Sequence, residues 1–258
     1  MKNRITTIIL FLFLVPLSMF SQKAFQDGEW LKFRVYYGIF NASYATLEVK
    51  DANLNNKDVF HVIGRGKSTG LLDLFFKVDD NYETYIDKNS SLPYRFIRKI
   101  DEGGHTKDLQ IDFNQELNMA YVFDRKHNEN KTFTTQENVH DMLSSFYYIR
   151  NSLNDNKLVA GQEFNMNMFF DDENHNFKLK FLGREVLNTK FGKIATLKFR
   201  PYVMAGRVFK EEEALTLWIT DDKNKMPIKI KAELTVGSLN ADLEEFKGLK
   251  HPFVVIIN

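Results

Sequence analysis

Residues 30–37 read Trp-Leu-Lys-Phe-Arg-Val-Tyr-Tyr, a pattern that recurs along most of this chain. Lys32 and Arg34 alternate with the apolar or aromatic side chains of the odd-numbered positions. Successive side chains of a β-strand point to opposite faces of its sheet. This stretch therefore predicts a half-buried strand with one apolar face and one charged face.

The same alternation continues outward from this stretch, interrupted by turn residues such as Glu102-Gly103-Gly104 and Asp221 to Lys225. Strands that follow one another at intervals of this length are typical of an antiparallel meander and not of alternating strands and helices. We predict further strands near residues 42–50, 58–66, 79–87, 93–101, 106–114, 118–124, 163–171, 176–189, 193–202, 212–220, 226–235 and 238–247.

One convincing long helix is predicted, at about residues 138–152. Thr134 and Glu137 have the spacing of a capping box, and apolar residues follow at helical spacing from Val139 to Tyr147. A shorter helical turn is predicted at residues 69–76. Because a sheet with one apolar face must cover it, we expect a mainly β fold: a curved antiparallel meander, or open half-barrel, with one covering α-helix.

Composition indicates a folded chain whose stability comes from its core. The 258 residues are 43% hydrophobic and include 24 Phe and 10 Tyr, which is the wrong balance for disorder. With zero Cys, disulfides, thiolate metal sites, cysteine nucleophiles and cysteine-linked lipid anchors are excluded. Residues 22–258 are predicted to form a single domain.

The first 21 residues have the pattern of a cleavable secretory signal. Lys2 and Arg4 are followed by an apolar stretch without charge and by Ser21, after which cleavage is expected. A membrane anchor is the alternative, although the apolar stretch is short for a spanning helix. We therefore predict an exported protein that is at most peripheral to a membrane.

Several motifs support a resemblance to a known family. Residues 141–150 read Asp-Met-Leu-Ser-Ser-Phe-Tyr-Tyr-Ile-Arg, and residues 92–95, 218–221 and 226–228 add Leu-Pro-Tyr-Arg, Trp-Ile-Thr-Asp and Met-Pro-Ile. From about Trp30 to Phe246 the chain resembles the bacterial domain-of-unknown-function family 3108, a group of exported proteins. The resemblance implies a curved, β-rich envelope domain and no catalytic residues.

The composition, rich in Asn, Lys and Phe, and the signal ending in Ser-Gln look like those of a Bacteroidota-type organism. In such a cell an exported product lies in the periplasm or at the outer membrane. We therefore expect one of these two locations.

No motif of the sequence predicts a catalytic, metal or cofactor site. The six His show no ligand spacing, and the acidic clusters lack the pattern of a calcium loop. Ser144 and Ser145 lack the surroundings of a nucleophile elbow. A formal charge of +1 gives no indication of nucleic-acid binding. Paired carboxylates of a carbohydrate-active enzyme remain a weaker alternative, because their spacing is spatial.

We expect a non-enzymatic module that binds a lipid or glycolipid in the hollow between sheet and helix. For Arg150 two interpretations stay open: capping of the helix C-terminus, or an anion-holding group at the pocket mouth. The alternative function is a scaffold or accessory protein with an envelope protein partner in envelope or surface-polysaccharide assembly. The predicted ligand-binding residues are Leu71, Leu74, Phe75, Met142, Phe146, Tyr147 and Arg150.

Overall fold

A computed structural model describes residues 23–70, 73, 77–153, 157–202, 214–234 and 236–257 of the chain. These residues form fourteen β-strands and one α-helix. The first eight strands are β1 (Trp30–Tyr37), β2 (Phe40–Leu54), β3 (Lys57–Ser68), β4 (Asp79–Asp87), β5 (Pro93–Glu102), β6 (His105–Asn114), β7 (Met119–Asp124) and β8 (Glu129–Thr134). After helix α1 (Met142–Ser152) come β9 (Glu163–Phe170), β10 (Glu173–Thr189), β11 (Gly192–Tyr202), β12 (Leu215–Thr220), β13 (Pro227–Glu233) and β14 (Ser238–Lys247).

All fourteen strands belong to one antiparallel sheet, which is not closed into a barrel. Its order is β8-β7-β6-β5-β4-β3-β2-β1-β14-β13-β12-β11-β10-β9. The first and last strands therefore meet in the middle of the sheet, where Trp30 lies opposite Lys247. The predicted mainly β, open meander with one covering helix is confirmed.

Helix α1 connects the two edge strands, β8 and β9, and packs against both halves of the sheet. Leu143 and Tyr147 belong to the buried cluster of the first half, together with Phe25 from the N-terminal segment. Ile149 belongs to the cluster of the second half, and Phe146 contacts both clusters. The helix thus fills the space between the two halves.

The edges of the sheet do not pair with each other, but the segment between β8 and α1 links them. His140 N donates to Asn167 O at 2.9 Å, and Phe169 N donates to His140 O at 2.8 Å. The rings of Phe133 and Phe169 lie 5.6 Å apart across the opening. Arg98 Nη1, from the first half, donates to Asp171 Oδ1 at 2.6 Å. These contacts hold the two edges together.

The start of the helix differs from the prediction. Thr134 is the last residue of β8, and the N-cap of α1 is Asp141. The Asp141 carboxylate accepts from Leu143 N at 2.8 Å and Ser144 N at 2.9 Å, while Ser144 Oγ accepts from Asp141 N at 2.9 Å. Thr84 Oγ1 donates to the same carboxylate at 2.6 Å. The capping box predicted at Thr134 and Glu137 was wrong because Asp141 supplies a buried cap seven residues later.

Other predicted segments have different outcomes. Strand β8 was not predicted, because Phe133 is its only large apolar residue. The predicted signal, residues 1–21, lies outside the described residues, as does most of the predicted helical turn at 69–76. No helix within the described ranges has the length and apolar character of a membrane-crossing helix.

We predict that Asp141→Ala lowers the free energy of unfolding by about 2 kcal/mol, since N-cap removal typically costs about 1–2 kcal/mol and Thr84 loses a buried partner. Urea unfolding followed by circular dichroism measures the change. Asp58→Ala, at an exposed strand end, is the control and is expected to cost less than about 0.5 kcal/mol. Equal losses for both variants would contradict this role of Asp141.

Candidate functional site

Side chains of helix α1 pack against the sheet in the region where a hollow between sheet and helix was predicted. Tyr147 is 0% exposed and its ring contacts that of Phe25 at 4.7 Å. Phe146 packs between the two clusters of the sheet halves. Met142 is the exception: it is 37% exposed and lies on the outer side of the helix. Tyr147 is therefore a core residue, Phe146 is partly buried against the core, and Met142 is a surface residue.

The other predicted ligand-binding residues of the Leu-Phe-rich segment cannot be placed. Leu71, Leu74 and Phe75 lie outside the described residues. Their assignment stays a prediction.

Arg150 lies in the last turn of α1, as predicted, and forms a buried ion pair. Its Nη1 and Nη2 donate to Glu29 Oε1 at 2.6 Å and Oε2 at 2.8 Å, and both side chains are 0% exposed. Nη2 also donates to Asn224 O at 2.9 Å. The guanidinium group lies 5.3 Å from the Phe25 ring and 5.1 Å from the Tyr147 ring. It therefore holds a carboxylate of the protein itself.

The register brings an exposed apolar cluster together where two hairpins end side by side. Tyr37 in β1 is opposite Phe40 in β2 and opposite Leu239 in β14. Side chains of directly opposite residues lie on the same face of a sheet. Tyr37 Oη also donates to Val236 O at 2.9 Å. We call Tyr37, Ile39, Phe40, Val236 and Leu239 the hairpin tip.

The hairpin tip is strongly exposed although it is apolar. Ile39 is 89% exposed, Val236 74% and Phe40 66%, while Tyr37 and Leu239 are more than one third exposed. Single exposed apolar residues are ordinary, but a contiguous group of them marks an interaction surface. The hairpin tip is therefore the candidate functional site.

Charge is absent from the sequence around the hairpin tip. Residues 35–47 and 234–241 contain no Asp, Glu, Lys or Arg, although these types make up 27% of the chain. The prediction of strands placed Tyr37 on the apolar face but did not identify the tip. The two uncharged stretches, each around a glycine turn, were the signal that could have found it.

Ionisable side chains elsewhere on the described surface are largely held by partners. Asp171 accepts from Arg98 and from Lys107 Nζ, and these cations hold the pKa of its carboxyl below the usual range although burial acts in the opposite direction. Burial and the nearby Glu102 raise the pKa of Asp80 to about 6. Over the described ranges, no three His, Asp or Glu side chains are grouped as metal ligands.

Comparisons with known proteins agree with the fold. The family model described as a protein of unknown function (DUF3108) matches residues 32–244. A β-barrel-like protein of domain of unknown function DUF1849 from Brucella abortus is similar with a TM-score of 0.59 and 10% identity, over 88% of this chain and 100% of that one. At this identity the likeness shows the fold alone.

Two further solved structures are more distant. One is from Bacteroides fragilis, described as exported and with a YmcC-like fold: TM-score 0.34, 7% identity, 86% of this chain and 97% of that one. The other, from Parabacteroides distasonis, is described as a lipoprotein. It is similar with a TM-score of 0.33 and 13% identity, over 88% of this chain and 99% of that one. No curated protein matches this chain significantly.

We predict that Arg150→Met lowers the free energy of unfolding by about 3–5 kcal/mol, because the buried Glu29 carboxylate is left without its partner. The double variant Glu29→Leu, Arg150→Met is expected to regain most of this loss, because it leaves no buried charge. Urea unfolding measures the free energy of unfolding of the parent protein, the single variant and the double variant.

The exposed pair of Lys178 and Glu163, 3.2 Å apart, provides the control. Lys178→Met should cost less than about 1 kcal/mol. A double variant as unstable as Arg150→Met would contradict the explanation by an unpaired charge.

Proposed function

The chain belongs to the DUF3108 family, and we propose that it is a non-enzymatic envelope protein that binds lipid at a membrane surface through the hairpin tip. The observation that carries this proposal is the exposed, uncharged cluster of Tyr37, Ile39, Phe40, Val236 and Leu239. The protein is then peripheral to the membrane.

Apolar burial supplies the driving force for this contact. Complete burial of one large apolar side chain contributes about 1.5–3 kcal/mol. Ile39 and Phe40 are at least two-thirds exposed, so most of this free energy is still to be gained when they enter a lipid phase. Tyr37 fits the boundary of that phase, because tyrosine is enriched at membrane–water interfaces.

The packed interior favours a surface contact over a carrier with an internal hollow. A carrier needs space between the sheet and the helix, but Leu143 and Tyr147 belong to a continuous buried cluster there. Ile149 fills the corresponding position of the second half. Among the described residues, the apolar side chains that can contact a lipid while the protein stays folded are the exposed ones.

Export would place the protein, and with it the hairpin tip, next to a membrane surface of the cell envelope. The support for export is the signal-like pattern of residues 1–21, with its charged start, apolar centre and Ser21. A periplasmic or outer-membrane-associated location follows from this pattern and from the sequence style, as part of the proposal.

The rival function, a scaffold with an envelope protein partner, would use the same exposed side chains. An exposed apolar cluster can bind a protein as well as a lipid when the protein presents an apolar pocket. The two uncharged stretches, residues 35–47 and 234–241, favour lipid, because interfaces of transient protein complexes are usually more polar.

We predict that the mature protein, from Gln22, binds vesicles of phosphatidylethanolamine and phosphatidylglycerol, and that Ile39→Ser, Phe40→Ser weakens this binding at least about tenfold. Co-sedimentation with vesicles measures the bound fraction. The loss is expected because two exposed apolar side chains can no longer enter the lipid.

Leu117→Ser is the matched control, since Leu117 is 64% exposed in a different turn, and its vesicle binding should equal that of the parent. If the parent protein does not bind vesicles, or if the tip variant binds as well as the parent, the lipid proposal is wrong. A stable complex with one envelope protein, lost in the same tip variant, would then favour the scaffold.

Export gives a separate prediction. Full-length protein expressed in a Gram-negative host should be recovered from the envelope fraction with Gln22 as its first residue, because cleavage is expected after Ser21. Intact-mass spectrometry reads the N-terminus. Retention of residues 1–21 in membrane-bound protein would instead support the anchor alternative.

A further inference from the structure

A second surface feature, independent of the hairpin tip, is a groove of about 620 Å³ beside the outer side of α1. The turn between β4 and β5, the segment before the helix, and strands β9 and β10 form its walls. We call it the helix groove and define it by Glu137, His140, Tyr148, Asn165, Asn167 and Asn176. Its volume lies within the range of about 300–1,000 Å³ that is common for small-molecule sites.

The wall formed by β9 and β10 presents three amide side chains. Asn165 and Asn167 are two residues apart on β9 and so share one face, and Asn176 in β10 lies opposite Asn167. Asn167 Nδ2 donates to Glu137 O at 2.8 Å. Within the described part of the chain, the exposed side chains of Asn165 and Asn176 form no hydrogen bond. Each can donate two hydrogen bonds and accept through its carbonyl oxygen.

The opposite wall presents an aromatic ring. Tyr148 is 37% exposed, and its hydroxyl has no hydrogen-bond partner within the described ranges. The ring lies 4.7 Å from the His140 ring, at an interplanar angle of 37°. His140 is 2% exposed and its Nδ1 lies 3.3 Å from Ser144 Oγ. The buried histidine thus provides a fixed support for the exposed tyrosine.

Charge in the helix groove is low. Its described lining contains no Lys or Arg, and Glu137 is its one carboxylate. Burial lowers the pKa of His140 to about 4, so this ring is neutral near pH 7. Anionic ligands such as phosphates are normally held by Arg or Lys, which leaves an uncharged polar ligand as the best match.

We propose that the helix groove is a binding site for a short neutral oligosaccharide. The apolar face of a pyranose ring packs on the ring of Tyr148, and its hydroxyls exchange hydrogen bonds with the amides of Asn165 and Asn176. Cleavage of a glycosidic bond ordinarily uses two carboxylates, whereas the described lining of this groove contains one. The proposal is therefore binding of the saccharide without its hydrolysis.

The experiment uses maltotriose, chitotriose and mannotriose as probes with the mature protein. Saturation-transfer-difference NMR detects binding and titration calorimetry measures Kd. We expect at least one probe to bind with a Kd below about 1 mM. Tyr148→Ala should weaken this binding at least about tenfold, as should Asn165→Ala combined with Asn176→Ala. Tyr148→Phe should retain most of it, because the ring makes the contact.

Tyr121→Ala is the matched control, because Tyr121 is 44% exposed on β7, and its saccharide affinity should equal that of the parent. Circular dichroism and the thermal midpoint verify that each variant is folded. Failure of all three probes to bind, or unchanged binding by the Tyr148→Ala and amide variants, overturns the proposal. Ile39→Ser, Phe40→Ser should leave saccharide binding unchanged and Tyr148→Ala should leave vesicle binding unchanged, so the two proposals fail or stand separately.

Discussion

The buried ion pair between Glu29 and Arg150 determines how the centre of the sheet, the helix and the second half of the sheet meet. Its partners lie 121 residues apart, and the same guanidinium group also binds Asn224 O, 74 residues further along. Glu29 directly precedes β1 in the middle of the sheet, Arg150 lies in the last turn of α1, and Asn224 lies between β12 and β13. One side chain thus joins the sheet centre, the helix and the second half. A buried charge costs several kcal/mol without its partner, so these parts must come together in one arrangement.

A consequence of this arrangement is that the helix packs against buried clusters of both halves of the sheet. The helix that joins the two edges places Leu143 and Tyr147 in one half and Ile149 in the other. Both sites that we propose lie on the surface, where the apolar tip and the polar groove differ in chemistry. The strands of the first half run from the tip side, near Lys67, to the groove side, near Asp87. A protein that rests on lipid by its tip would thus present the groove away from that lipid.

Much of the fold could be predicted from local sequence, because alternation of side chains is a local property. Strand β1 shows it plainly, whereas β8 has one large apolar residue, Phe133, and escaped prediction. The helix was recognised but its start was misplaced, since Thr134 and Glu137 also have cap spacing. The role of Arg150 could not be predicted, because its partner Glu29 is distant in sequence. The two uncharged stretches could have indicated the parts of the hairpin tip, but their contact depends on the pairing of β1 with β14, which no local pattern reveals.

Because β1 pairs with β14 in the middle of the sheet, the sheet can be completed only after β14 has been synthesised. β1 is the first of the described strands, and its outer edge pairs with residues 239–247 of β14, the last of them. Until then the unpaired N–H and C=O groups of β1 can pair with another molecule. Folding that waits for such distant contacts is slow and prone to aggregation. The newly made protein is therefore most exposed to aggregation through the β1 edge until β14 pairs with it.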